Sequence, residues 1–256
     1  MQAIAAVSRG AGGGHYNPGM TPARRRKVLR EMYGRMLRHF GPRHWWPAEI
    51  AFEMMVGAML VQNTAWGNVE KAIANLKLRK LLTAEALHAL GPDGIAPLIT
   101  SAGYFRVKAR RLWHLVDWFV TRHGGTLESM RAIPTAALRE ELLSVHGVGK
   151  ETADSILLYA LGREIFVIDA YTRRIFARHG LSAADAGYDE LQALAEGHLP
   201  RQAPLFNEYH ALLVNVGKNF CKPTPRCEGC PLQPMLPRGG PIGVTVGATS
   251  RRKGKR

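Results

Sequence analysis

Apolar residues recur every three to four positions in segments of helical length, and Gly or Pro interrupts the chain between most of them. That punctuation constrains the fold more than any other feature of the sequence. It falls at Gly91-Pro92, Gly103, Gly124-Gly125, Pro134, Gly147, Gly162, Gly180 and Pro200. A first helix is expected from Thr21-Pro22, with Thr as N-cap and Pro in the first turn, carrying Val28, Leu29, Met32, Met36 and Leu37 on one face. Residues 48–62 read as an apolar, central helix. Further helices are expected at 66–80, 83–90, 93–101, 104–123, 135–144, 150–161, 170–179, 187–197 and 205–219. The run Ile165–Ile168 is strand-like but too short to build a sheet. The expected class is therefore all-α, built from short helices and without internal repeats.

Charge narrows the partner. The 256-residue chain carries +15, with 35 Lys+Arg against 20 Asp+Glu. Residues 1–44 hold nine basic residues and one acid, Glu31, and residues 237–256 hold six basic residues and no acid. The excess therefore lies at the ends, which points to a polyanion such as nucleic acid, with a solubilising surface as the alternative. Residues 1–20 read as a disordered, Gly-rich extension and 237–256 as a mobile basic tail that adds salt-sensitive affinity for phosphate backbones. A hydrophobic content of 46% with 21% charged residues excludes global disorder. No apolar run reaches the roughly 18 residues of a membrane span, and residues 3–7 are too short for a signal-peptide core. Three cysteines do not make a disulfide scaffold. A soluble cytoplasmic protein is expected, associated with the nucleoid if bacterial.

The most informative stretch is Leu143-Ser144-Val145-His146-Gly147-Val148-Gly149-Lys150-Glu151-Thr152-Ala153. A helix stops, a Gly-X-Gly hairpin follows, and a second helix begins. Glycines permit positive φ and expose backbone N–H groups, while the new helix offers free N–H groups and its dipole to a phosphate. Lys150 adds a cation. An ordinary helix–turn–helix corner has the same composition, so the hairpin alone decides little.

The surrounding sequence adds weight. This segment, continued through Phe166-Val167-Ile168-Asp169-Ala170-Tyr171-Thr172-Arg173-Arg174, resembles the helix-hairpin-helix motif of the DNA glycosylase superfamily that includes endonuclease III. Phe52–Thr64 is similar to the family's first barrel helix with its Gln, here Gln62. Ala102–Arg110 is similar to its DNA-wedge loop and following helix. The match runs in order over about residues 24–236. The resemblance implies a two-lobed fold with the active-site cleft between lobes: a barrel lobe at 48–161, and a terminal lobe pairing 21–47 with 162–236. It implies a base excision repair enzyme, monomeric, that binds damaged duplex DNA, flips a base and cuts its N-glycosidic bond. Gly147, Gly149, Lys150 and Thr152 would grip phosphate, Gln62 would fill the hole left by the base, and Tyr104 would wedge the duplex. Arg106, Lys108, Arg110 and Arg111 suit backbone contact or a solvated helix face. Asp169 would be catalytic, since a fixed carboxylate stabilises positive charge at C1′ and can activate water. An Asp before a helix is also an N-cap, and both roles can coexist.

Two departures sharpen the expectation. Bifunctional members carry a nucleophilic lysine 18 positions before the Asp; here that position is Glu151. A monofunctional glycosylase without an efficient lyase step is expected. Trp45-Trp46-Pro47 with Trp66 is similar to the 3-methyladenine glycosylase branch, so Trp45, Trp66 and Glu151 would line a pocket for an alkylated purine, whose cationic ring suits aromatic faces; packing in the core is the alternative for Trp45 and Trp66 and the favoured reading for Trp46. An endonuclease III-type lyase on other lesions, using Lys150, and a non-catalytic damaged-DNA binder are the alternatives. Cys221, Cys227 and Cys230 resemble the family's four-cysteine [4Fe–4S] loop, whose fourth ligand falls at Leu236. Three thiolates could hold a labile cluster with an outside ligand, or the cluster is lost.

Overall fold

The computed structural model describes residues 19–45 and 50–243. The expected N-terminal extension and basic tail fall largely outside these residues, as do Trp46 and Pro47. Among the described residues the chain contains helices and no strand. The helices are α1 Pro22–Phe40, α2 Ala51–Leu60, α3 Trp66–Leu78, α4 Ala84–Ile95, α5 Phe105–His123, α6 Leu127–Arg131, α7 Thr135–Ser144, α8 Lys150–Ser155, α9 Ala170–Arg178, α10 Tyr188–Glu196 and α11 Ala203–Asn219. No helix among them is long and apolar enough to cross a membrane.

Local chemistry explains most boundaries. Thr21 caps α1 by accepting from the Arg24 N–H at 3.3 Å, and Pro22 opens its first turn. Gly91 adopts φ 64°, which breaks α4 into two straight pieces at the expected Gly-Pro junction. The expected helix at 93–101 then tightens into 3-10 turns at Ala96–Leu98 and Thr100–Ala102. Helix α6 was not legible from periodicity because five residues give barely one turn. The segment after α8 widens into a π turn over Ile156–Ala160, inside the expected helix 150–161.

Contacts divide the chain into two units. Among the described residues, the larger comprises 42–45, 50–169 and 192–211; the smaller comprises 19–41, 170–191 and 212–243. This differs from the expected lobes: 42–45, 162–169 and 192–211 group with the barrel segment rather than with the terminal lobe. Phe166 joins the two later segments, because its ring packs edge-on against Phe206 at 5.3 Å and Tyr209 at 5.7 Å, all three fully buried. Large aromatic rings make this a substantial apolar anchor.

In the larger unit α2 is central, as its all-round hydrophobicity demands: Met54, Met55, Val56, Ala58, Met59 and Leu60 are buried. Glu53 is buried among them and is matched by Lys77, 2.9 Å away. Helix α5 contributes Ala109, Leu112, Leu115, Val116 and Phe119 to the same core. In the smaller unit Leu29, Met32 and Met36 of α1 are buried, as are Ile175 and Phe176 of α9.

Candidate active site and nucleic-acid interface

Helix α7 stops at Ser144, and the chain turns through Val145–Gly149 into α8. Val145 and Val148 are buried and close the turn with a Val148 N–H to Val145 carbonyl bond of 3.0 Å. Only the first glycine uses its conformational freedom: Gly147 has φ 89°, whereas Gly149 sits at −98°. Gly147 also lacks room, since a Cβ there would lie 2.3 Å from the Arg111 Cγ. Around Gly149 nothing would meet a Cβ within 4 Å, so this side of the turn is open to a ligand. Lys150 is exposed beside it.

Gln62 is tied to this hairpin. Its amide donates to the Gly147 carbonyl and the Thr152 hydroxyl, each at 3.1 Å, and its carbonyl accepts from Arg111 at 2.7 Å. Thr152, expected to face DNA, instead has a buried side chain engaged by Gln62. The Arg106–Arg111 cluster also divides. Arg106 and Arg110 are exposed, Arg111 braces Gln62, and Lys108 is buried. The Lys108 ammonium donates to the Leu60 carbonyl at 2.8 Å and the Ala102 carbonyl at 2.7 Å. It thereby satisfies carbonyls at the end of α2 and at the turn before Tyr104, an anchoring role rather than backbone contact. A periodic signal was available: Lys108 shares a helix face with Leu112 and Leu115. Tyr104 itself is 79% exposed with φ 45°, a left-handed conformation rare for an aromatic residue.

Trp45 and Trp66 are half-buried and lie together, with ring centroids 6.3 Å apart and planes tilted by 56°. The Trp66 indole N–H donates to Glu70 at 2.7 Å.

Asp169 ends the run from Phe166, and its carboxylate is only 11% exposed. His210 of α11 lies behind it, with Nε2 3.7 Å from Oδ2. The other ring nitrogen of His210 is hydrogen-bonded to the Tyr159 hydroxyl. Neither His210 nor Tyr159 was singled out from sequence. Glu151 reaches solvent yet stands in a crowded surround. Loss of water around it raises its carboxyl to about 7; the Asp169 charge adds to the rise and His210 opposes it. Burial also raises the Tyr159 phenol well above its ordinary value, so it remains a hydroxyl donor.

All of these residues belong to the larger unit. The cysteines belong to the smaller. Cys221, Cys227 and Cys230 line one small cavity together with Arg178, His179 and Leu236. Arg178 donates to the Cys221 sulfur at 3.2 Å, and burial raises the Cys227 and Cys230 thiols. Among the described residues no three His, Cys, Asp or Glu side chains are gathered to hold one metal ion. Apolar Leu236 occupies the fourth place at this cavity, so the residues present do not fit a four-thiolate cluster.

The family model for HhH-GPD superfamily base excision DNA repair proteins matches residues 56–201. The Methanocaldococcus jannaschii protein named "Putative DNA repair glycosylase MJ1434" is 45% identical over 208 residues, covering 81% of this chain and 94% of that protein. Endonuclease III of Thermotoga maritima is 29% identical, over 70% of this chain and 79% of its own. Among solved structures, Helicobacter pylori 3-methyladenine DNA glycosylase (MagIII) bound to 1,N6-ethenoadenine matches with a TM-score of 0.64 and 27% identity, covering 76% of this chain and 97% of that one. A non-covalent endonuclease III–DNA complex matches with a TM-score of 0.71 at 24% identity, over 86% and 97% of the two chains, a likeness of fold.

Proposed function

The chain belongs to the HhH-GPD superfamily of base excision DNA repair proteins, and from that premise we propose that it is a monofunctional DNA glycosylase acting on an alkylated purine such as 3-methyladenine. The observation that carries this reading is the pairing of Asp169 with Glu151. A carboxylate that can support hydrolysis is present, and a carboxyl stands where bifunctional members place a nucleophilic amine.

The chemistry follows from the side chains. Breaking the N-glycosidic bond puts positive charge on the sugar at C1′. The Asp169 carboxylate, shielded from bulk water, opposes that charge more strongly than it would in solvent. It can also take a proton from the attacking water as the new C1′–O bond forms. A base alkylated on its ring carries positive charge before cleavage and departs neutral, so no strong acid is required of the protein. The tilted Trp45–Trp66 pair offers two π faces to such a cation. The open side of the hairpin at Gly149, with exposed Lys150, suits a phosphate of duplex DNA. Tyr104, exposed and held in a left-handed conformation, suits the wedge, with Gln62 beside the hairpin as the filling residue. The binding partner in this reading is damaged duplex DNA, with the protein acting as a monomer. No step requires a metal cluster.

Incubation with duplexes carrying alkylated, oxidised or mismatched bases tests the reading. Release of an alkylated purine, abolished by Asp169→Asn, is expected, with little borohydride trapping on abasic DNA. Strong trapping that survives Asp169→Asn but fails in Lys150→Ala would favour the lyase instead. Tight DNA binding with no base released from any duplex would favour a non-catalytic binder.

A further inference from the structure

The Asp169 carboxylate is backed by two groups that the hydrolysis described above does not use. Tyr159 comes from the π turn following α8, and His210 comes from the buried face of α11 that also carries Phe206, Tyr209 and Leu213. The His210 ring is hydrogen-bonded at Nδ1 by the Tyr159 hydroxyl. A phenol donating to Nδ1 leaves the ring proton on Nε2. Nε2 is buried, has no hydrogen-bond partner, and lies 3.7 Å from Oδ2 of Asp169. That separation exceeds a hydrogen bond and must shorten by about half an ångström to become one. Catalytic hydrogen bonds are often long before substrate binds and close in the complex.

We propose that His210 is a positioning residue for Asp169: Tyr159 fixes its tautomer, and the Nε2–H edge then holds the Asp169 carboxylate in place for the reacting sugar. The inference rests on the glycosylase reading and on Asp169 as its reacting group. It explains a buried donor that has no other use. The charged and titratable groups facing the ring are Asp169, Tyr159 and Glu151, whose carboxyl is coupled to both Asp169 and His210. Removing the Nε2–H donor has a definite consequence. The Asp169 carboxylate loses a group that favours its ionised form, so the acidic limb of the pH–rate profile moves to higher pH.

The experiment is single-turnover base release by the full chain across the pH range, for His210→Ala, His210→Gln and Tyr159→Phe. Affinity for a duplex with a stable abasic analogue is measured in parallel. His210→Ala is expected to slow release by roughly tenfold to a hundredfold, with unchanged abasic-DNA affinity and a raised acidic limb. His210→Gln keeps an N–H donor at similar reach and should recover part of the rate and of the limb position. Tyr159→Phe frees the ring and should move the limb in the same direction by less. A wild-type rate and limb in a folded His210→Ala protein would overturn the proposal. Where that variant fails to fold, an unmoved limb in both His210→Gln and Tyr159→Phe would overturn it equally. Asp169→Asn separates the two levels: retained release there defeats the role of Asp169 itself, whatever His210 does.

Discussion

Replacing Asp154 with alanine gives the most direct check on how the site is held. Asp154 lies on α8, five residues beyond Gly149 of the hairpin, and is fully buried. Arg139 grips it in bidentate fashion, Nε to Oδ1 at 2.6 Å and Nη2 to Oδ2 at 3.0 Å. The Gln192 amide donates to Oδ2 at 2.8 Å and also to the Phe166 carbonyl at 2.8 Å. The network therefore links the helix after the hairpin to the run that ends in Asp169. Removing one partner of a buried ion pair costs about 3–5 kcal/mol. Arg139 keeps 16% side-chain exposure, so some rehydration places the loss near 3 kcal/mol by the same principle. The Gln192 bond adds about 1 kcal/mol. For a chain of this size each kcal/mol moves Tm by about 2–4 °C, so a fall on the order of 10 °C is expected. Thermal unfolding followed by circular dichroism measures it. A second variant tests the cause: Arg139→Met combined with Asp154→Leu replaces both charges with apolar groups and should recover much of the loss. A Tm for Asp154→Ala within about 2 °C of wild type, well inside the shift that principle requires, would refute the argument. So would a double variant no better than the single.

Three further outcomes follow from the geometry. Gly147→Ala places a methyl against Arg111 at positive φ, so it should lower Tm and weaken duplex binding, whereas Gly149→Ala meets nothing within 4 Å and should leave Tm unchanged while altering only DNA affinity. The Glu151 carboxyl titrates near 7 rather than its ordinary 4.5; the folded state therefore holds this proton more tightly, and stability should fall as pH rises from 4.5 to about 7 and then level off. Glu151→Gln should remove that slope, and parallel Tm–pH curves for the two proteins would contradict it. Leu236→Cys adds a fourth thiol at the three-cysteine cavity and should raise iron and acid-labile sulfide after anaerobic reconstitution; a variant that stays free of iron would contradict this.

The helices were largely legible because their stability comes from apolar periodicity and from Gly and Pro at the junctions, both local properties of sequence. The hairpin turn was legible through its glycine spacing, whereas Asp169 was singled out through resemblance. What escaped was the set of contacts made across long separations. His210 packs behind Asp169 from a helix far along the chain, and nothing within either segment announces the other. Lys108 looked like one more cation in an arginine-rich helix; only its position on the face of Leu112 and Leu115 hinted that it was buried. Thr152 comes two residues after exposed Lys150, yet the roughly 200° of helical rotation between them turns it inward to Gln62. The units diverged from the expected lobes for a similar reason, since the burial of Phe166 against α11 is a tertiary fact that hydropathy along the chain does not encode.

The discontinuity of the larger unit bears on how the protein is made. Its first segment ends at Asp169 and its second does not begin until residue 192. As the chain leaves the ribosome, the hairpin, Glu151 and Asp169 emerge well before Gln192, Phe206 and His210. A nascent chain ending at 191 would carry the carboxylates without the groups that order them, leaving Asp154 and the ring of Phe166 short of their later partners. Completion of the site therefore belongs to a late stage of synthesis, and a truncated product would retain the motif by which the protein is recognised while lacking the framework that makes the motif useful.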